Sequence, residues 1–364
     1  MEHFTLELRP RLRSHCAFLT FEKNIDSTAI KIKLQKASIE IETEEKNYSL
    51  SLPDIKLWPF YLGSLQVTGR WIYFRIITPS NLCIELFKTT TVDLDDQLSK
   101  STIIDPHVAN LPSKNEDCKL ICTCCKNQIT KTVSFNRILS LPSSDCDPQE
   151  WYCCNHGHNN EISLEPKKSD LFYSFNRCVF NQRIFENLKI KNSLIHCNKC
   201  LSIIGSCRKK KESLQFWNCC IEYDILRKEP KIEKSNSCLS DFLSAVKCTT
   251  NMTFGEQILL EARDVNSVHY LFIEIFSPKL RIITEDKANF QQQILSLKSL
   301  FVVKVSYKYG ENPKRKINYD LNTNYCEVAV PSILAGISEL VSSSARFPPA
   351  YRKMGDSYMG YLLF

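Results

Sequence analysis

Apolar and polar residues alternate with period two through much of the first hundred positions, the pattern of strands with one face in a core. Phe4, Leu6 and Leu8 form one such run. Ile30, Ile32 and Leu34, then Ile39 and Ile41, form two more with lysines and glutamates on the opposite face, and Tyr48, Leu50 and Leu52 continue the pattern. Leu65-Gln66-Val67 and the run Trp71 to Ile77 read as longer strands near a core. The alternation predicts an antiparallel sheet or sandwich with one solvated face. No residue there suggests chemistry, so the region reads as a scaffold or docking surface.

The last third mixes periods. Ser240 to Val246, with Phe242, Leu243 and Val246 on one side, predicts a helix entered through Ser237 or Ser240 as N-cap. His269 to Phe276 and the alternating Val303, Val305 and Tyr307 predict strands. Pro331 to Val341 predicts a helix with proline in its first turn and Ile333, Leu334, Ile337, Leu340 and Val341 facing inward. Apolar content falls from Thr89 to Asp117, and Lys228 to Asn236 is a polar run, so both read as connections. The expected fold class is a β-rich α+β protein in three parts: a β-rich N-terminal domain over 1–105, a cysteine-rich zinc-binding region over 106–227, and a C-terminal α+β region over 228–364.

Composition narrows the function. The 364 residues contain 47 basic and 40 acidic side chains, a net charge of +7 spread along the chain apart from Arg208-Lys209-Lys210-Lys211. No aromatic residues interleave with that basic run, which makes direct nucleic-acid binding the third-ranked reading. No apolar run is long enough to span a bilayer, and the N-terminus lacks the pattern of a secretory signal, so the expected location is cytoplasm or nucleus. With nine glycines and no G-x-G-x-x-G or G-x-S-x-G, nucleotide-binding and hydrolase readings lose their usual support.

Cysteine is the unusual residue, 18 in number, with 14 between Cys118 and Cys238. Where thiols stay reduced, such a cluster points to metal or reactive sulfur rather than disulfides. Cys122 and Cys125 make one Cys-x-x-Cys pair, and Cys197 and Cys200 another. Two residues between thiolates let a tight turn aim both sulfurs at one tetrahedral ion, so the two pairs compose a closed, structural zinc site of two knuckles. Between them lies Trp151-Tyr152-Cys153-Cys154-Asn155-His156-Gly157-His158. Three readings stay open there: a second zinc site completed by Cys118 or Cys146, a thiolate activated by a neighbouring histidine, or a loop offering Cys and His to a partner. Cys219-Cys220 reads as packing beneath Trp217.

Taken together, several stretches resemble a family of HECT-like ubiquitin-protein ligases, also described as ubiquitin-conjugating-enzyme (E2)-binding proteins. Ile121-Cys122-Thr123-Cys124-Cys125 followed by Arg137 to Ser143 is similar to that family's Cys-x-x-Cys and R-x-L-x-L-P-S run. Glu150-Trp151-Tyr152-Cys153 is similar to its Trp-x-Cys-His element, and Cys197 to Cys200 with Ile203-Ile204-Gly205 to its second pair. Phe347 to Met354 through Tyr361-Leu362 resembles its C-terminal end.

The resemblance implies binding to a ubiquitin-conjugating enzyme and acceptance of ubiquitin as a thioester on Cys153 before transfer to a substrate lysine. Here the next residue is Cys154 where the family has histidine, and the nearest histidine is His156. Nothing resembles the large bilobal domain of true HECT ligases. The resemblance also implies an alternative, a non-catalytic binding or inhibitory factor for the metallo-β-lactamase endonuclease of pre-mRNA cleavage and polyadenylation. Cys153, Cys154 or His156 would then ligate the nuclease metals, with Trp151 of the same loop as a further partner-binding candidate.

Overall fold

In the computed structural model, which describes residues 1–53, 61–77, 111–141, 165–207, 212–225, 237–286, 294–295, 297–311 and 323–364, the alternating N-terminal runs form the strands that their period predicts. His3–Leu8, Ser14–Thr20, Tyr61–Thr68 and Trp71–Ile77 enter a ten-stranded sheet. Lys31–Leu34, Ser38–Glu42 and Asn47–Ser51 join Ile294–Leu295 in a four-stranded one. Phe4, Leu6, Leu19, Ile72 and Phe74 from the first sheet meet Ile39, Ile41 and Leu50 from the second in one core, which makes this region a sandwich.

The expected solvated face is only partly present. Trp71–Ile77 is buried on both sides as far as Phe74, because Tyr73 and Phe18 point away from the sandwich core and are covered by Phe347 and Tyr351 from the C-terminal end. Arg352 completes that cover: its guanidinium lies 5.3 Å from the centre of the Trp71 ring and donates to the Phe347 carbonyl. The C-terminal stretch thus closes the outer face of an N-terminal strand.

The strand expected over His269 to Phe276 continues much further, from Val268 to Glu285. Ser277-Pro278 reads as a stop, since proline donates no ladder hydrogen bond. Here Pro278 falls in a register irregularity between Ser277 and Leu280, where its missing N–H costs no pairing. Beyond it the strand changes neighbours. Residues up to Glu274 pair with Gln257–Arg263, whereas Arg281 to Thr284 pair with Leu8 to Thr5. Strand Leu297–Glu311 runs along the other edge throughout. One sheet therefore spans both ends of the chain; the expected boundaries near residue 105 and over 228–236 lie outside the described residues.

Two helices cover one face of this sheet. Helix α1 (Cys238–Thr249) starts where expected, with the Ser237 side chain accepting from the Ser240 amide at 3.0 Å. Helix α2 (Val330–Ser344) carries Pro331 in its first turn and buries Ile333 and Leu340. Contrary to expectation, Leu334 and Val341 face outward and are about half exposed, at 48% and 54%. The buried stripe runs instead through Ser332, Gly336, Ser343 and Ser344. At Gly336 an added Cβ would stand 2.3 Å from the Phe242 ring of α1. Small residues bring α2 close to its neighbours, and that approach turns the larger flanking side chains to solvent. Among the described residues, no helix is long and apolar enough to cross a membrane.

Among the described residues the cysteine-rich region is built of strands with two short 3-10 turns, Gln182–Ile184 and Asn218–Cys220. Leu188–Lys191, Leu194–Cys197, Ile203–Cys207, Ser213–Trp217, Arg177–Asn181, Asp170–Tyr173 and Arg137–Ser140 lie side by side in a seven-stranded sheet, and Cys118–Cys122 pairs with Ile221–Ile225. Their core gathers Phe135, Phe180, Phe216, Leu120, Ile195 and Trp217, with Cys219 and Cys220 buried in the same cluster. Gly205 is required by crossing distance, since a Cβ there would fall 2.0 Å from the Gln215 carbonyl oxygen of the next strand.

Candidate metal centre

Cys122 ends one strand and Cys197 another, and each is followed by a turn with the same hydrogen bonds. The Lys126 amide donates to the Cys122 carbonyl and the Cys122 amide to that of Asn127. Likewise the Leu201 amide donates to Cys197 and the Cys197 amide to Ser202. In both turns the residue after the second cysteine is left-handed, with φ of 56° at Lys126 and 60° at Leu201. Neither is glycine, so each carries a conformational cost of about 1–2 kcal/mol that the surrounding contacts must offset.

The turns face one another and bring four sulfurs together, all within 4.8 Å. Cys122 Sγ lies 3.8 Å from Cys200 Sγ, and Cys125 Sγ lies 3.6 Å from Cys197 Sγ. Four sulfurs held about 2.3 Å from a central zinc stand about 3.8 Å apart at the corners of a tetrahedron, whereas a disulfide needs about 2.05 Å. The spacing fits a metal ion and not a bridge. Cys122 and Cys197 are buried and Cys125 and Cys200 partly so, and four sulfurs would fill the four positions of a tetrahedral ion.

Without a metal, the four thiols do not ionise alike. Burial pushes Cys122 up to about 12, against the amides of Cys125 and Cys124. For Cys200 burial acts in the same direction, but hydrogen bonds from Ser202 and from the Cys125 and Cys122 thiols outweigh it and bring it down to about 6. The pocket thus favours the thiol at Cys122 and the thiolate at Cys200, and a divalent cation would release protons the set still holds.

An amide clasp locks the turns together, and sequence reasoning did not anticipate it. Asn127 Nδ2 reaches Asn198 Oδ1 at 3.0 Å and lies 3.7 Å from the Cys197 sulfur. Asn198 in turn donates to Asn187, which donates to the Gln128 carbonyl at 2.9 Å. Contacts across a gap of some seventy residues leave no spacing signal in the chain.

Trp151, Cys153, Cys154 and His156 lie outside the described residues, as do Cys146 and the basic run 208–211. Cys118 faces the core of the cysteine-rich region, where burial holds its thiol up at about 12. Among the described residues the four-cysteine set is the one cluster suited to a metal.

No curated protein and no solved structure matches the chain. A family model described as HECT-like ubiquitin-conjugating enzyme (E2)-binding matches residues 7–359, from the first strand to the last and across both cysteine turns. The chain therefore belongs to the HECT-like ubiquitin-conjugating enzyme (E2)-binding family.

Proposed function

We propose that the protein binds a ubiquitin-conjugating enzyme and that a structural zinc ion, held by Cys122, Cys125, Cys197 and Cys200, fixes the cysteine-rich region in the shape that binding needs. The family match over residues 7–359 carries the first statement, and the sulfur spacing supports the second. Zinc is the ion of choice for four thiolates in a closed tetrahedral set, and such a site adds folding energy rather than hydrolytic chemistry.

The finer reading makes the protein an E3-like ubiquitin transferase. Cys153 would attack the thioester carbonyl of the charged conjugating enzyme, forming a new thioester as the enzyme's cysteine leaves as thiolate. A substrate lysine would then take the acyl group. This rests on the motif Trp151-Tyr152-Cys153. The alternative, a non-catalytic factor that offers Cys153, Cys154 or His156 to the metals of the polyadenylation endonuclease, rests on the same loop.

Single-turnover discharge of ubiquitin-charged conjugating enzymes separates them. A reducible ubiquitin adduct on the metal-replete wild type, lost in Cys153→Ser, is the expected result. Binding without any adduct would reject transfer through Cys153 and favour the nuclease factor. A metal-replete chain that binds no conjugating enzyme would overturn the proposal.

A further inference from the structure

Four side chains at the turn end of one hairpin and on the strand beside it form a continuous hydrogen-bonded line. The hairpin joins Gln257–Arg263 to Val268–Glu285 through a turn closed by the Asp264 amide donating to the Ser267 carbonyl. Ser267 and His269 are two residues apart and share a face. The register places Glu311 opposite His269 and Tyr309 opposite Leu271, which puts both on that same face. Ser267 Oγ lies 3.3 Å from His269 Nε2, His269 Nδ1 lies 2.8 Å from the Tyr309 hydroxyl, and that hydroxyl donates to Glu311 at 2.6 Å. Glu311 also stands 3.6 Å from His269 Nδ1.

These distances fix the proton positions for a neutral imidazole. The Tyr309 proton goes to the Glu311 carboxylate, so the Tyr309 oxygen must accept, and Nδ1 of His269 carries the hydrogen. Nε2 is then a free lone pair aimed at Ser267, whose hydroxyl donates to it. Burial and Glu311 together raise Tyr309 to about 12, so it stays a proton donor near neutrality. A serine, a histidine with its acceptor nitrogen toward that serine, and a carboxylate stabilising the far side of the ring are the parts of an activated alcohol nucleophile. His269 is buried, Ser267 is partly exposed and Val265 in the adjoining turn is half exposed, so the serine hydroxyl sits where solvent reaches the turn.

We propose that Ser267 is an acyl acceptor with His269 as its general base, taking as substrate class a carboxylic thioester. Ser267 Oγ attacks the thioester carbonyl as its proton passes to His269 Nε2. The carbon–sulfur bond breaks, an oxygen ester forms, and the proton leaves with the departing thiolate as a thiol. Tyr309 and Glu311 are positioning residues that hold the imidazole in the required tautomer. That the donor is a ubiquitin-charged conjugating enzyme rests on the function proposed above; the reactivity of Ser267 does not.

The full-length, metal-replete chain is treated with a fluorophosphonate probe, which modifies activated serines, and the modified peptide is located by mass spectrometry. Labelling at Ser267 is expected, absent in Ser267→Ala, slowed about 100-fold or more in His269→Gln, and slowed about tenfold in Tyr309→Phe, which keeps the ring without the hydroxyl. An unlabelled Ser267, or rates indifferent to both His269→Gln and Tyr309→Phe, overturns the proposal; should His269→Gln fail to fold, Tyr309→Phe decides. In a parallel arm with charged conjugating enzyme, an adduct through Ser267 survives thiol reductant and is cleaved by hydroxylamine, whereas one through Cys153 is cleaved by both. Bound charged enzyme without a reductant-resistant adduct overturns the thioester assignment. Labelling of Ser267 in a chain that binds no conjugating enzyme supports the acceptor and rejects the functional reading.

Discussion

Two regions of this molecule close long stretches of chain by different chemistry. In the cysteine-rich region four sulfurs from turns about 70 residues apart converge at one point, where a metal ion could hold them. The junction of the two chain ends is spread along a sheet. There Glu7, fully buried, accepts from Lys304 and Tyr361, both at 2.6 Å, and pairs with Arg9. Glu285 accepts from the Phe4 amide at 3.0 Å and pairs with Arg346 at 2.8 Å. The lesson is one of specification. A metal site concentrates closure in four residues of a single type, which spacing reveals, whereas a sheet junction distributes it over registers and ion pairs with no local signature.

Breaking the sulfur centre should have the largest effect. Structural zinc in small domains is worth about 10–16 kcal/mol of apparent binding energy at neutral pH, enough to exceed the stability of an ordinary domain. Cys197→Ser is expected to lose metal by elemental analysis and to lose hydrogen-exchange protection at Ile195 and Phe216. Leu6 and Ile72 should keep theirs if the two closures are independent. Full metal content with unchanged melting would remove the metal from the comparison.

The next largest effect belongs to the junction. Arg346→Met leaves Glu285 buried beside His3 without its guanidinium, which should cost about 3–5 kcal/mol in denaturant unfolding while metal content stays constant. A loss below 1 kcal/mol would show that apolar packing alone closes the sheet.

Acid should weaken the junction in two steps with the same sign. Burial lowers His15 to about 4 from 6.5, so the unfolded chain takes up that proton first and stability falls between about pH 6.5 and 4. Burial works against the charge of Glu285, but His3 and Arg346 outweigh it and hold the carboxyl at about 2 against 4.5. Its contribution is complete above about pH 4.5 and disappears as pH falls toward 2. Each group supplies at most about 3 kcal/mol. His15→Gln should flatten the upper part of the profile and leave the lower; an unchanged profile would reject the assignment.

Helix α2 gives the smallest effect and a sharp contrast. Leu334→Ser on its outer face should change stability by no more than about 0.5 kcal/mol, against about 2–5 kcal/mol for Leu340→Ala on the inner face. Equal losses would mean that the outer face is covered in solution.

Much of the fold was legible locally. The alternation of Ile39 and Ile41, the helix start at Ser237 and the proline-led start of α2 each depend on neighbours a few residues away, and each appears as read. The Asn127–Asn198 clasp and the Ser267–His269–Tyr309–Glu311 line were not, because their members come from different elements and have meaning only once registers are set.

The sequence by itself determined which segments extend and which coil, since backbone preference and apolar period act over short distances. Only the tertiary structure decided that Thr5 lies beside Thr284, that Phe347 and Tyr351 cover Tyr73, and that α2 turns Leu334 outward. A strand with one apolar face can pair with many others. Its partner is set by which arrangement buries every such face and every buried charge at once, a property of the whole chain and of no segment within it.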